Sequence, residues 1–323
     1  MKLFKVILLF LIVANCKAQS TPLLIKSELF TDYKSIPNYS KISEEVNGKV
    51  VWKEEFKYID EIEIYKITYL SDGYKINGFM VKPKKKGKYP SIIYNRGGNR
   101  EFGKLIIGSC IKLGQIANEG YVIIASQYRG NDGSEGKEEF GGSDVNDVTI
   151  LTDVLKEVEE ADAENIGMYG WSRGGMMTYI ALTKTNKVKV AVVGGADSDS
   201  YESILDRPDM ETGVLAELIP NYETNKDEEL KKRSAIKWVN KFSKDVPILM
   251  LHGNSDFRVK PEQSLKMALE FEKYRIPYRL IMFEGGDHGI TEHKSEVNEQ
   301  IINWFNKYLK NKEPLPNMEY HGK

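Results

Sequence analysis

A serine hydroxyl acts as a nucleophile only where the chain presents its oxygen and a neighbouring base removes its proton. Gly170-Trp171-Ser172-Arg173-Gly174 has the form that meets the first condition. It follows a short apolar run, Ile166 to Tyr169, and precedes Arg173 to Lys184, where apolar residues recur at helical spacing. On such a sharp strand-to-helix turn, side chains two positions to either side of the serine would collide, so glycine is required there. The base must come from four histidines. His252 directly follows the apolar run Ile248 to Leu251 and reads as a buried structural residue, His293 lies at the start of the last helical stretch, and His321 is in the tail. His288 stands in the loop Glu284-Gly285-Gly286-Asp287-His288-Gly289 after the last strand pattern and is the candidate base. Asp256, just past the penultimate strand, is the candidate orienting carboxylate, because an imidazole that gains a proton needs a fixed negative partner. Asp287 is too close in sequence to His288 to meet its ring.

An acyl-transfer site also needs N–H donors for a developing oxyanion. The Arg173 backbone N–H is one candidate. The loop Asn95-Arg96-Gly97-Gly98 after the strand pattern Ser91 to Tyr94 offers the second, from Arg96 or Gly97. Nothing points to a cofactor: Gly130, Gly133 and Gly136 do not make a dinucleotide turn, and no Gly-Lys-Ser/Thr phosphate loop occurs. No metal is expected either, since Cys16 and Cys110 make no CxxC and no HExxH is present. Forty-six basic against 47 acidic residues, a net charge of −1, exclude a partner held by phosphate neutralisation, so no nucleic-acid partner is expected.

These residues need a frame, and the chain from Pro90 supplies one. Apolar runs Ser91 to Tyr94, Tyr121 to Ala125, Ile166 to Tyr169, Val188 to Val193, Ile248 to Leu251 and Tyr278 to Phe283 read as strands buried on both faces. Between them, residues 104–118, 144–160, 173–184, 261–274 and 292–309 have helical periodicity. The alternation predicts an α/β fold: a mostly parallel central sheet covered by helices on both faces. A hairpin is expected ahead of it, from Ile62 to Val81, turning at Ser71-Asp72-Gly73. Residues 198–244 exceed the usual connection of about 2–6 residues and read as an inserted helical segment placed like a lid, with Leu215, Leu218 and Ile219 either as its apolar underside or as the face that packs a helix against the core. Residues 1–18 pair Lys2 and Lys5 with an apolar run that is too short to span a membrane, which takes about 20 residues. They read as a signal peptide cleaved after Ala18, and the chain as exported, periplasmic or secreted. Acylation of Cys16 as a lipid anchor is the less favoured alternative. The expected organisation is a signal peptide at 1–18, an extension at 19–55, a catalytic domain at 56–312 and a tail at 313–323.

From about Tyr58 to Leu309 the chain resembles the catalytic domain of the prolyl oligopeptidase family of serine peptidases and its α/β-hydrolase relatives. The matching segments include Tyr128-Arg129-Gly130, Gly170 to Gly175, Arg233-Ser234-Ala235-Ile236, Val246 to Val259, Gln263-Ser264 and Gly286-Asp287-His288-Gly289. The resemblance implies Ser172 as nucleophile, His288 as base and Asp256 as orienting acid. It departs at Asn95-Arg96-Gly97-Gly98, where the peptidases usually carry His or Tyr before the two glycines. The residues ahead of the hairpin are too few for the β-propeller that sorts substrates in those peptidases, so their peptide specificity does not carry over. The expectation is an exported serine hydrolase acting through an acyl-enzyme on a small-molecule or short peptide substrate. A carboxylesterase for acylated small molecules or sugars and a catalytically silent cleft-binding protein are the alternatives.

Overall fold

Nine strands make one sheet in the computed structural model, which describes residues 21–322. The signal segment and Cys16 lie outside the described residues. In chain order the strands are β1 (Leu24–Leu29), β2 (Ser43–Val46), β3 (Lys49–Trp52), β4 (Ile62–Ser71), β5 (Tyr74–Pro83), β6 (Tyr89–Asn95), β7 (Val122–Ser126), β8 (Ala161–Trp171), β9 (Val188–Gly194), β10 (Ile248–Gly253) and β11 (Tyr278–Phe283). The main sheet runs β1-β4-β5-β7-β6-β8-β9-β10-β11, and β2 and β3 form a separate hairpin. From β7 to β11 every pairing is parallel, and β1, β4 and β5 join antiparallel.

The parallel strands are apolar throughout because both faces are covered. Ile93, Ile124, Ala191 and Val193 enter one core, while their neighbours Ile92, Ile123, Val190 and Val192 enter the other. The second core takes α1 (Ile107–Asn118) and the C-terminal helix, α6 (Lys294–Phe305). The first takes the short helical turns of 143–157, α2 (Arg173–Leu182) and α5 (Glu262–Tyr274). Cys110 is fully buried on α1 as a core residue.

Three boundaries differ from the sequence expectation. The helix expected over 144–160 is a series of short helical turns ending at Glu157, and β8 begins at Ala161. The stretch set apart as 19–55 contributes β1, which pairs with β4, so the sheet extends past residue 56 into that stretch. Residues 198–244 form helical segments, including α3 (Ser200–Asp206) and α4 (Tyr222–Arg233), but Leu215 and Ile219 are 3% exposed in the first core. They anchor the segment to the body, and its cleft side is formed instead by Ser203, Arg207, Asp209, Met210 and Val214.

The connections fix where a site can sit. The chain leaves β6 toward β7 on one side and then returns to β8 on the other, so the loops after β6 and β8 diverge. Such a reversal opens a crevice at the strands' C-terminal ends. The loop after β6 carries Arg96 and Gly97; the turn after β8 carries Ser172.

Candidate active site

Ser172 has φ 58° and ψ −127°, a backbone conformation that costs a non-glycine residue energy and persists only where packing enforces it. The packing here is backbone against backbone. A Cβ on Gly170 would lie 2.0 Å from the Gly174 carbonyl oxygen, and one on Gly174 would lie 1.9 Å from the Asn95 oxygen. Both glycines are thus sterically obligatory, as the motif requires. The Ser172 N–H donates to the Gly194 carbonyl at 2.8 Å, tying the elbow to the end of β9.

His288 and Asp256 come together from the loops after β11 and β10. His288 Nδ1 donates to Asp256 Oδ2 at 2.7 Å. The Trp171 indole N–H donates to the His288 carbonyl at 2.8 Å, and the His288 ring lies against Gly195, the residue after β9. These contacts hold the imidazole beside the elbow. No hydrogen bond joins Ser172 Oγ to the ring in this conformation, and such bonds are often long in unliganded enzymes. Asp256 is 3% exposed. Burial works against its charge, but hydrogen bonds from His252 and His288 outweigh it and hold the carboxyl well below the usual carboxylate range.

The second histidine on Asp256 was not foreseen. His252 is fully buried, as expected, yet its Nε2 lies 3.2 Å from Asp256 Oδ2 and 2.9 Å from the Val259 carbonyl. Both neighbours only accept, so Nε2 carries the proton and Nδ1 accepts from Ser264 Oγ at 2.6 Å. The backbone N–H groups of Arg258 and Val259 also donate to Asp256, at 2.8 and 3.1 Å. The signal was available in the i, i+4 spacing of His252 and Asp256, but a strand end followed by Gly253 obscured it. Asp287 instead shapes its own loop, accepting from the N–H groups of Gly289 and Thr291. His293 bonds the Glu284 carbonyl and His321 the Glu319 carbonyl, and neither takes part in the His288–Asp256 pair.

Of the three oxyanion candidates, Arg173 and Gly97 lie directly against the serine turn. Arg173 N–H opens α2, where the first amides have no intrahelical acceptor. Gly97 packs so closely that a Cβ there would lie 3.0 Å from the Trp171 oxygen and 3.2 Å from Ser172 Cβ. Among the described residues neither N–H has a hydrogen-bond acceptor. The Arg96 side chain points elsewhere, donating to the carbonyls of Gln127, Gly97, Phe102 and Arg100 and fastening the loop in shape. The Arg173 side chain fastens it from the other side. Its guanidinium donates to Gly98 O at 3.0 Å and pairs with Glu138 and with Asp144, the latter at 2.7 Å. Burial pushes it down to about 9, still high enough to stay charged at neutral pH. Tyr128, at φ 67°, lies between Arg96 and Arg173, with the guanidinium carbons 5.1 and 4.9 Å from its ring centre. The motif did not reveal this cluster, because Glu138 lies in a segment with no strand or helix signature and Asp144 only opens the stretch with helical periodicity.

The elbow opens into a cleft of about 330 Å³ lined by Ser172, Asp197, Phe140, Met210, Val214 and Val259 among others. No group of three or more potential metal ligands occurs among the described residues. The arrangement can do acyl transfer: a presented hydroxyl, an imidazole held by a carboxylate, and two N–H groups without acceptors next to the serine.

The comparisons agree with this reading. A model of the prolyl oligopeptidase family matches residues 112–312. The chain is 27% identical over 252 residues to YtmA of Bacillus subtilis, described as an uncharacterized peptidase, covering 78% of this chain and 95% of that one. It spans only 41% and 34% of two other curated relatives. Among solved structures, the acylaminoacyl peptidase of Pyrococcus horikoshii superposes with a TM-score of 0.69 at 23% identity, over 84% of this chain and 47% of that one. An acetyl xylan esterase from Paenibacillus sp. R4 gives 0.62 at 18%, over 86% and 87%. The fold is that of the α/β-hydrolases.

Proposed function

The chain belongs to the prolyl oligopeptidase family and is a serine hydrolase, and on that premise we propose that it is an exported peptidase cleaving short peptides through Ser172, His288 and Asp256. Ser172 Oγ attacks the acyl carbon while His288 Nε2 takes its proton, and Asp256 holds the Nδ1–H and stabilises the imidazolium. The Arg173 and Gly97 N–H groups receive the developing oxyanion. The tetrahedral species collapses to the acyl-enzyme, and the leaving amine departs with the proton from His288. Water, deprotonated by the same imidazole, then attacks the acyl carbon, and Ser172 leaves with its proton restored. The observation that carries the reading is the 2.7 Å His288–Asp256 bond held beside a strained, glycine-flanked serine.

Export rests on residues 1–18, whose basic start, apolar run and Ala18 have the order of a cleavable signal. A carboxylesterase for acylated small molecules uses the same groups, and the near end-to-end match to the Paenibacillus esterase fold keeps it as the second reading. A panel of peptide amides and acyl esters given to the purified protein separates them. The peptidase reading expects amide hydrolysis that Ser172→Ala abolishes; turnover of esters alone would favour the esterase.

A further inference from the structure

The cleft beside Ser172 contains a carboxyl group that no cation of the protein answers. Asp197 is 9% exposed and lines the cleft. Its Oδ1 is buried without a hydrogen-bond partner, and no cation pairs with it among the described residues. The backbone places it firmly. Gly194 O accepts the Ser172 N–H, Gly195 lies against the His288 ring, and a Cβ on Gly175 of the elbow would meet Ala196 Cβ at 2.3 Å. Asp197 is the next residue. Burial, with the charge of Asp199, pushes its carboxyl up to about 7 against the nearby Ser203 and Ser200 hydroxyls, which favour ionisation.

A buried acid without a cation costs stability, so it persists where a ligand group completes it. The cations nearest the cleft are otherwise engaged. Arg173 is paired with Glu138 and Asp144, Arg207 with Asp209 at 3.4 Å, and Arg258 lies over the ring of the exposed Phe102 at 5.5 Å, at the rim. The cleft that holds Ser172 and Asp197 also has apolar wall residues, Phe140, Met210, Val214 and Val259. A methylene stem fits such walls while its charged end seeks the acid.

We infer that Asp197 is a specificity residue that binds the cationic side-chain end of the residue supplying the acyl group, so that the cleft selects basic acyl residues of lysine type. This inference rests on the serine-hydrolase reading of Ser172. Nothing covalent is added: the ammonium donates to the carboxylate, and the stem packs where water would otherwise stand.

The test compares thiobenzyl esters of Nα-acetyl-lysine and Nα-acetyl-norleucine, which differ at the end of the side chain, with activity read as kcat/KM at pH 8. The wild-type protein should favour lysine by about tenfold or more, since a buried charge pair discriminates strongly against its neutral counterpart. Asp197→Asn should bring the ratio to within about twofold of unity, and Asp197→Leu should reverse it, with a leucine side chain completing the apolar wall. A wild-type ratio near unity, or one favouring norleucine, overturns the inference, as does a lysine preference that both variants retain. A fluorophosphonate probe on the wild-type protein keeps the two claims apart. Labelling of Ser172 without a lysine preference defeats the specificity alone, whereas no labelling defeats the serine-hydrolase reading beneath it.

Discussion

Asp256 accepts from two imidazoles and two backbone N–H groups, which makes its charge a fixed feature of the site. Ser172→Ala and His288→Ala should each lower kcat by several orders of magnitude with the fold retained, and Asp256→Asn should cost somewhat less or about as much. Steady-state kinetics with circular dichroism on each variant checks this; full activity in any of them removes that residue from the mechanism. Asp197 gives a separate, thermodynamic prediction. An acid raised to about 7 from an unfolded value of about 3.9 holds more protons folded than unfolded between those values. Stability therefore falls as pH rises through that window. Asp197→Asn, similar in shape but uncharged, should gain on the wild-type protein by roughly 2–3 kcal/mol more at pH 8 than at pH 5. Urea midpoints at the two pH values measure it, and a pH-independent difference would contradict a buried, unanswered carboxyl. Ser172, His288 and Asp256 could be read from sequence because each follows an apolar strand in a glycine-bearing loop. Asp197 also follows a strand, but its lack of a cationic partner is a property of packing alone.

The elbow works because three elements press on it: the turn after β8, the loop after β6 and the segment 138–144. Arg173 joins the last two, donating to Gly98 O while neutralising Glu138 and Asp144 in the interior. Arg173→Met would leave two buried acids without their cation, a loss of about 3–5 kcal/mol. It would also free the Gly97–Gly98 loop that faces Ser172. A lowered unfolding midpoint together with a lower kcat is expected, and an unchanged midpoint would show that the cluster carries no stability. The strands of this region were legible because a parallel sheet buried on both faces needs continuous apolar runs. The 143–157 turns were not, because Asp144, Asp147 and Asp153 break the chain into short helical pieces and direct it toward ion pairs. The inserted segment's existence followed from its length, but its facing did not: Leu215 and Ile219 at helical spacing fit a lid's underside and a core anchor equally, and the body claims them.

At the scale of the molecule, one strand-order reversal brings together residues that lie 32 to 116 positions apart, Ser172, Asp256 and His288, at the C-terminal edge of a sheet whose two cores hold it rigid. The parallel sheet was implicit in the alternation of strands and helices, whereas its strand order was not, and the edge strand β1 was hidden because only one of its six residues, Leu24, is even partly buried. The central claim is that this edge activates Ser172. Incubation of the purified protein with a fluorophosphonate, followed by peptide mass mapping, tests it most directly. The account predicts a single adduct on the peptide containing Ser172, lost in Ser172→Ala and strongly slowed in His288→Ala. An adduct on another serine, or equal labelling with and without His288, would contradict it.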